Sequence, residues 1–247
     1  MDEGTMSDGS TASELRHYAV FMAHADDAEF SCAGTVAKWV AEGHRVSYVL
    51  LTNSDKGSDD PAMTSERLAA IREEEQRAAC AILGVADIVF LRYPDMTLDA
   101  KDPKLKMDLV RTMRQLRPDV VVCPDPSRWW HGYQYINHPD HRAAGEAVLH
   151  AAFPAAGNRL WHPELLAEGL EPIKLKEIWI IGGDEPNVFV DITPYMETKI
   201  AALRAHASQM GEWDPGPMVQ QWAAEDGKRA DPPVPFAEDF RRFTTSG

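Results

Sequence analysis

The sequence predicts a doubly wound α/β fold, a mostly parallel sheet with helices on both faces. Three observations predict it. Short, almost continuously apolar runs rich in Val, Ile, Leu and Tyr recur in the first half of the chain, as in strands buried on both faces. Longer segments rich in helix formers separate them. Gly43 and Gly84 follow two of those segments, where a left-handed helix end favours a residue without a Cβ.

Strands are expected over His17–Ala23 (HYAVFMA), Arg45–Leu51 (RVSYVLL), Asp87–Leu91 (DIVFL) and Asp119–Cys123 (DVVVC). Helices are expected over Ser31–Glu42, Thr64–Leu83 and Pro103–Leu116. The order β-α-β-α-β-α-β with right-handed crossovers gives the doubly wound arrangement. Further on, Asp140–Ala152 reads as a helix, Lys176–Ile181 and Val188–Asp191 as strands, and Pro194–Met210 as a helix. The proline-rich stretch from Gly211 reads as a wrapping extension with one short helix near Met218–Glu225. The expected organisation is a loose tail over 1–15, one α/β domain over 16–210, and an extension over 211–247 packed on it.

The 247 residues carry 25 basic and 39 acidic side chains, a net charge of −14. That balance disfavours a reader of duplex nucleic acid or a binder of anionic membrane, since both need local positive potential. No run of 18 apolar residues suggests a membrane span. The first 15 residues lack the apolar stretch of a secretory signal. Cys32, Cys80 and Cys123 are odd in number and widely spaced, which reads as reduced core thiols in a cytoplasmic protein.

Ligands of open doubly wound sheets bind beyond the carboxyl ends of the strands, where strand order reverses. With the common order, strands one and four are neighbours there. The first is followed by His24-Ala25-Asp26-Asp27-Ala28-Glu29, and the loop after the fourth leads to His138-Pro139-Asp140-His141. Hydrolytic zinc wants three N or O ligands and one open position. His24 and Asp27 can face one point from a tight turn, and His141 can supply the third ligand from the first turn of a helix opened by Pro139. Two neutral imidazoles and one carboxylate leave net positive charge on the ion, which acidifies water. Asp26 is then placed to take a proton. His138, if protonated, can stabilise an oxyanion, and Asp140 can fix an imidazole tautomer.

The segments AHADDAE and NHPDH resemble the paired motifs of the LmbE/PIG-L family of zinc-dependent de-N-acetylases, which act on N-acetylglucosamine-type amino sugars. The likeness extends to Ala33–Lys38 (AGTVAK), the helix carrying Arg72, His138–Gly145 (HPDHRAAG) and His206–Gln209 (HASQ). The resemblance implies an LmbE-like, Rossmann-like fold. It implies zinc on His24, Asp27 and His141, with Fe²⁺ or another divalent cation as the alternative. It implies Asp26 as general base, His138 as the oxyanion-stabilising or acid group, Asp140 as its supporting carboxylate, and Arg72 as a substrate contact. The implied partner is a small-molecule N-acylated amino sugar or glycoside, and the implied assembly a homo-oligomer, trimer or hexamer. Ala25 departs from the family, which usually has proline there.

Each feature also has a plainer reading. Asp26-Asp27 can be a helix N-cap, and HPDH a capped helix start with surface histidines. The segment Arg128–Tyr135 (RWWHGYQY), with His131 in it, can stack on a sugar or pack a long loop. His206 can be a core or capping histidine, and Arg72 a surface ion-pair partner. Three rival functions follow. A non-haem Fe(II) oxygenase uses the same two-His-one-carboxylate triad. A non-catalytic metal-containing sugar-binding module would keep the ion without turnover. A nucleotide-binding module is disfavoured, because carboxylates replace the glycine-rich turn that cradles a pyrophosphate.

Overall fold

The computed structural model of the chain describes residues 14–133 and 135–245. Of the expected tail over 1–15, only Glu14 and Leu15 fall within the described residues. Along the chain the elements are β1 (His17–Met22), α1 (Asp27–Ser31), α2 (Ala33–Ala41), β2 (Arg45–Thr52), α3 (Ser65–Leu83) and β3 (Asp87–Tyr93). Then come α4 (Pro103–Leu116), β4 (Val120–Pro124), the short β5 (Trp130–His131) and β6 (Tyr135–Ile136), and α5 (Pro139–His150). The remainder is α6 (Glu164–Ala167), β7 (Glu177–Ile181), β8 (Val188–Asp191), α7 (Met196–Arg204), α8 (Ala207–Met210), α9 (Gly216–Arg229) and β9 (Ala237–Thr244).

Seven strands form one sheet in the order β3-β2-β1-β4-β7-β9-β8. The contacts from β3 to β7 are parallel, and β9 runs antiparallel to both its neighbours. Alternation along the strands divides the core into two layers. Ala19 and Phe21 of β1, Val49 and Leu51 of β2, and Val121 and Cys123 of β4 pack with Leu105, Leu109 and Met113 of α4 and Ala144 and Val148 of α5. Tyr18, Val20 and Met22 face the other way, with Tyr48, Leu50 and Val122, against Val36 and Trp39 of α2 and Cys80 and Leu83 of α3. Both faces are therefore covered, as the continuously apolar runs require. The three cysteines are buried and free. Among the described residues no helix is long and apolar enough to cross a membrane.

Three expectations are revised. The helix expected over Ser31–Glu42 begins earlier and breaks at Cys32, whose φ of −137° is not helical. The helix expected over Pro194–Met210 breaks at His206, where φ is −83° and ψ is 57°. The third revision is larger. The C-terminal stretch does not only wrap: α9 is longer than expected, and β9 inserts into the sheet between β7 and β8. Its sequence AEDFRRFT is mostly polar, so it lacks the apolar signature of a central strand. Phe240 joins the core layer around Trp39 and Trp179. Glu238 is buried and accepts from the Gly34 and Thr35 amides at 3.0 and 2.7 Å, at the positive end of α2. Lys199 Nζ closes the pair at 2.6 Å.

One close approach ties packing to chemistry. A Cβ on Gly145 of α5 would sit 2.3 Å from the Pro124 carbonyl oxygen at the end of β4. Neither backbone can yield cheaply. Gly145→Ala is expected to cost about 1–3 kcal/mol by overpacking and to displace α5, which carries His141. Urea denaturation together with metal content checks both effects; an unchanged midpoint and full metal loading would refute them.

Candidate active site

Strands β1 and β4 pair in register from Tyr18–Val120 to Val20–Val122. The segments leaving their carboxyl ends therefore meet. The first is a tight turn over residues 23–26. Asp26 takes φ 80° and ψ −20°, a left-handed conformation that Asp tolerates better than most residues. Side chains from three places hold the turn. The His24 amide donates to Asp27 Oδ2 at 2.8 Å, the Ala25 amide to Ser54 Oγ at 2.9 Å, and the Asp26 amide to Gln76 Oε1 at 3.2 Å. Ala25 thus gains a hydrogen bond that proline, lacking an N–H, could not make. Asp26 stands at the N-cap of α1 but makes no side-chain capping bond, so the plain capping reading fails for it.

The second segment ends in α5. Its N-cap is His138, whose Nδ1 accepts from the Asp140 amide at 3.2 Å. Pro139 occupies the first turn, as expected. One turn of helix then brings His141 opposite the first segment.

Three side chains converge there. His24 Nδ1 lies 3.2 Å from His141 Nε2 and 3.6 Å from Asp27 Oδ2, and His141 Nε2 lies 3.0 Å from Asp27 Oδ1. The outer nitrogens fix which atoms face inward. His24 Nε2 is 3.1 Å from Asp95 Oδ1 and 3.4 Å from Asp140 Oδ2, so it carries a hydrogen. His141 Nδ1 is 3.1 Å from Asn137 Oδ1 and donates to it. Two imidazole nitrogens and a carboxylate are left pointing at one another, an arrangement that calls for a cation between them. The electrostatics agree. Burial opposes charge on His24, yet Asp140, Asp27 and Asp95 outweigh it and push its pKa up to about 12. Burial also opposes charge on Asp27, but His141 and His24 hold it well below the usual carboxylate range. The donor set, two N and one O, fits a divalent metal of hydrolytic type.

Asp26 is buried beside this group. Burial and the Asp27 charge push its pKa up to about 7, against the pull of His206 and His24. A carboxyl group near neutrality suits proton exchange at working pH. His138 stacks edge-on to His24 with ring centroids 4.7 Å apart. Burial lowers its pKa, and His24 and His141 add to the effect. With Nδ1 accepting, the neutral ring carries its hydrogen on Nε2. His138 can thus donate from Nε2 without the extra proton that the sequence reading made a condition. His24, Asp95 and His138 form a second cluster of metal-type ligands sharing His24.

Two expected partners differ. Asp140 supports an imidazole, but it is His24 rather than His138. Its two oxygens also accept from the Met96 and Leu98 amides at 2.7 and 3.2 Å, fixing the loop that carries Asp95. Arg72 is buried, and its Nη1 donates to the Ser54 and Lys56 carbonyls, both at 2.6 Å, while Nη2 pairs with Gln209. It is neither a surface ion pair nor aimed at the cavity. It fixes the loop whose Ser54 braces Ala25. His206 is fully buried against Glu29 at 3.2 Å, as a core histidine.

Sequence reasoning missed Asp95, Asn137 and Gln76. Asn137 stood inside the quoted NHPDH motif, and Asp95 follows the end of β3; Gln76 left no signal beyond helix periodicity. A cavity of about 910 Å³ opens from the site, with Asp26, Asp27, His141, Phe30, Tyr135 and Trp222 in its wall. Of the aromatic segment, Tyr135 reaches it, while Trp129 lies 3.8 Å from the Arg142 guanidinium. The side chains of His131 and Gln134 lie outside the described residues.

A cation site at the carboxyl edge of a doubly wound sheet, beside a buried carboxyl group and a ligand-sized cavity, defines a candidate metal-dependent hydrolase. The family model of the GlcNAc-PI de-N-acetylases, PIG-L, matches residues 19–152. Diacetylchitobiose deacetylase of Thermococcus kodakarensis is 35% identical over 201 residues, covering 78% of this chain and 71% of that protein. A probable N-acetyl-alpha-D-glucosaminyl L-malate deacetylase 2 of Bacillus anthracis is 32% identical over 198 residues, covering 78% and 81%. The solved N,N'-diacetylchitobiose deacetylase of Pyrococcus horikoshii superposes with a TM-score of 0.85 at 30% identity, covering 94% of this chain and 85% of that one. The chain belongs to the PIG-L family of GlcNAc de-N-acetylases. That membership decides against the oxygenase and nucleotide-binding alternatives.

Proposed function

We propose that this protein hydrolyses the N-acetyl group of a small GlcNAc-containing glycoside, with zinc held by His24, Asp27 and His141. The observation that carries the reading is the convergence of His24 Nδ1, His141 Nε2 and the Asp27 carboxylate at the cavity wall, next to Asp26. When bound, the ion supplies Lewis acidity, polarising the amide carbonyl and acidifying water. Asp26 takes the proton of the attacking water on its carboxylate. The new C–O bond forms as charge moves to the carbonyl oxygen, and His138 Nε2–H donates to that oxygen. The C–N bond then breaks, and Asp26 returns its proton to the departing nitrogen. The products are acetate and a free amine. Asp95 and Asp140 keep His24 oriented, Asn137 keeps His141 oriented, and Gln76 holds the Asp26 backbone. All of this lies in one α/β unit that includes the C-terminal stretch.

Diacetylchitobiose, assayed under nitrogen with zinc-loaded protein, is expected to release acetate and primary amine in equal amounts. A chelator should stop the reaction and added zinc restore it. Saturable sugar binding without amine release would favour the non-catalytic alternative instead.

A further inference from the structure

We infer that the cavity is built for an uncharged aglycone, such as a second neutral sugar, and selects against a carboxylate or phosphate at that position. The inference deepens the deacetylase reading and rests on it.

Recognition of an anionic aglycone needs a cation free to meet it, preferably a guanidinium fork. Among the described residues, three Lys or Arg side chains line the cavity: Arg128, Lys199 and Arg229. Each is already engaged by a carboxylate of this chain. Arg128 Nη1 lies 2.8 Å from Asp184 Oδ1 and also donates to the Gly182 carbonyl at 3.1 Å. Lys199 is buried against Glu238 at 2.6 Å and donates to the Phe30 carbonyl at 2.9 Å. Arg229 Nη1 is shared between Asp226 Oδ1 at 2.9 Å and Asp239 Oδ2 at 2.8 Å. Arg72, the remaining candidate from the sequence, is spent on loop carbonyls.

Away from the cation site and the closed Lys199–Glu238 pair, Asp125, Glu225, Asp226 and Asp239 line the same cavity, and among the described residues only Arg128 and Arg229 stand against them. Negative charge is therefore in excess on that wall. The titration of the pair at Arg229 reflects this: burial and the Asp239 charge push Asp226 up to about 6 although Arg229 opposes them. The rest of the wall, Met218, Trp222 and Phe30, offers apolar surface for a sugar face. One uncompensated charge about 10 Å from an anionic group changes affinity by about tenfold at the effective dielectric of a protein surface.

The test compares two GlcNAc conjugates on zinc-loaded protein: the neutral diacetylchitobiose and the dianionic GlcNAc L-malate. The expected kcat/KM ratio favours the neutral substrate by about tenfold or more. The preference should narrow as salt rises from about 0.02 to about 0.5 M, because screening weakens the repulsion. It should also narrow in D226N/D239N, which releases the Arg229 guanidinium. Should that double variant fail to fold, the wild-type ratio and its salt dependence still decide. Equal or better turnover of the malate conjugate, or a ratio indifferent to salt, overturns the inference while leaving the deacetylase reading intact. Turnover of neither substrate overturns that reading, and the inference with it.

Discussion

Asp26→Asn is expected to lower kcat by about 10²–10⁴-fold, the range a positioned general base contributes, with metal content unchanged. The substitution is nearly isosteric, and Asn tolerates the left-handed backbone found at this position. The amide bond to Gln76 Oε1 uses the main chain and survives. What is lost is the ability to accept and return a proton. Near-normal turnover would remove Asp26 as the base. The metal-free protein supplies a second readout. Asp26 has a folded pKa raised to about 7 from an ordinary 3.8. The folded state therefore holds a proton that the unfolded state has released between those values. Its contribution to stability is complete below the unfolded pKa and is lost as pH rises through about 7. The difference in unfolding free energy between variant and wild type should change with pH across that window. A pH-independent difference would place Asp26 in a less buried, less charged setting.

His141→Ala is expected to abolish retention of the ion after dialysis and reduce turnover to background, without rescue by added zinc. His141 is a half-buried residue on the first turn of α5 whose side chain meets His24, Asp27 and Asn137 at the site, so the fold should persist. Removing its orienting partner is milder: Asn137→Ala should cost about 10–100-fold in metal affinity, the usual scale for a group that only orients a ligand. Metal analysis and circular dichroism on the same preparations separate loss of ligand from loss of fold. If the His141→Ala protein keeps one ion per chain, His141 is not a ligand.

Much of this arrangement was legible before any coordinates. Strands β1, β2 and β4 announce themselves because each is buried on both faces, the edge strand β3 is apolar though only partly buried, and the strand order makes β1 and β4 neighbours. That adjacency brings the two ligand-rich segments together. Other parts depend on partners that no local pattern encodes. β9 is mostly polar and is a strand because Glu238 meets the start of α2 and Phe240 meets Trp39 and Trp179. Asp95 leaves β3, two strands away from β1, and reaches His24 from a loop held by Asp140 through the Met96 and Leu98 amides and by Asn53 and Asp55 through the Asp95 amide. Arg72 looked like a surface or substrate group because periodicity cannot show that its helix face is covered by the 54–57 loop and Gln209. Alanine in place of proline at residue 25 gives up the ring's restriction of φ, and Ser54 offsets it by accepting a hydrogen bond from the Ala25 amide.

The most direct measurement is anomalous diffraction at the zinc edge from crystals of the metal-loaded protein. A single peak about 2.0–2.2 Å from His24 Nδ1, the Asp27 carboxylate and His141 Nε2, ordinary zinc distances, is the predicted result. A peak instead among His24, Asp95 and His138, or none at either group, would contradict the account.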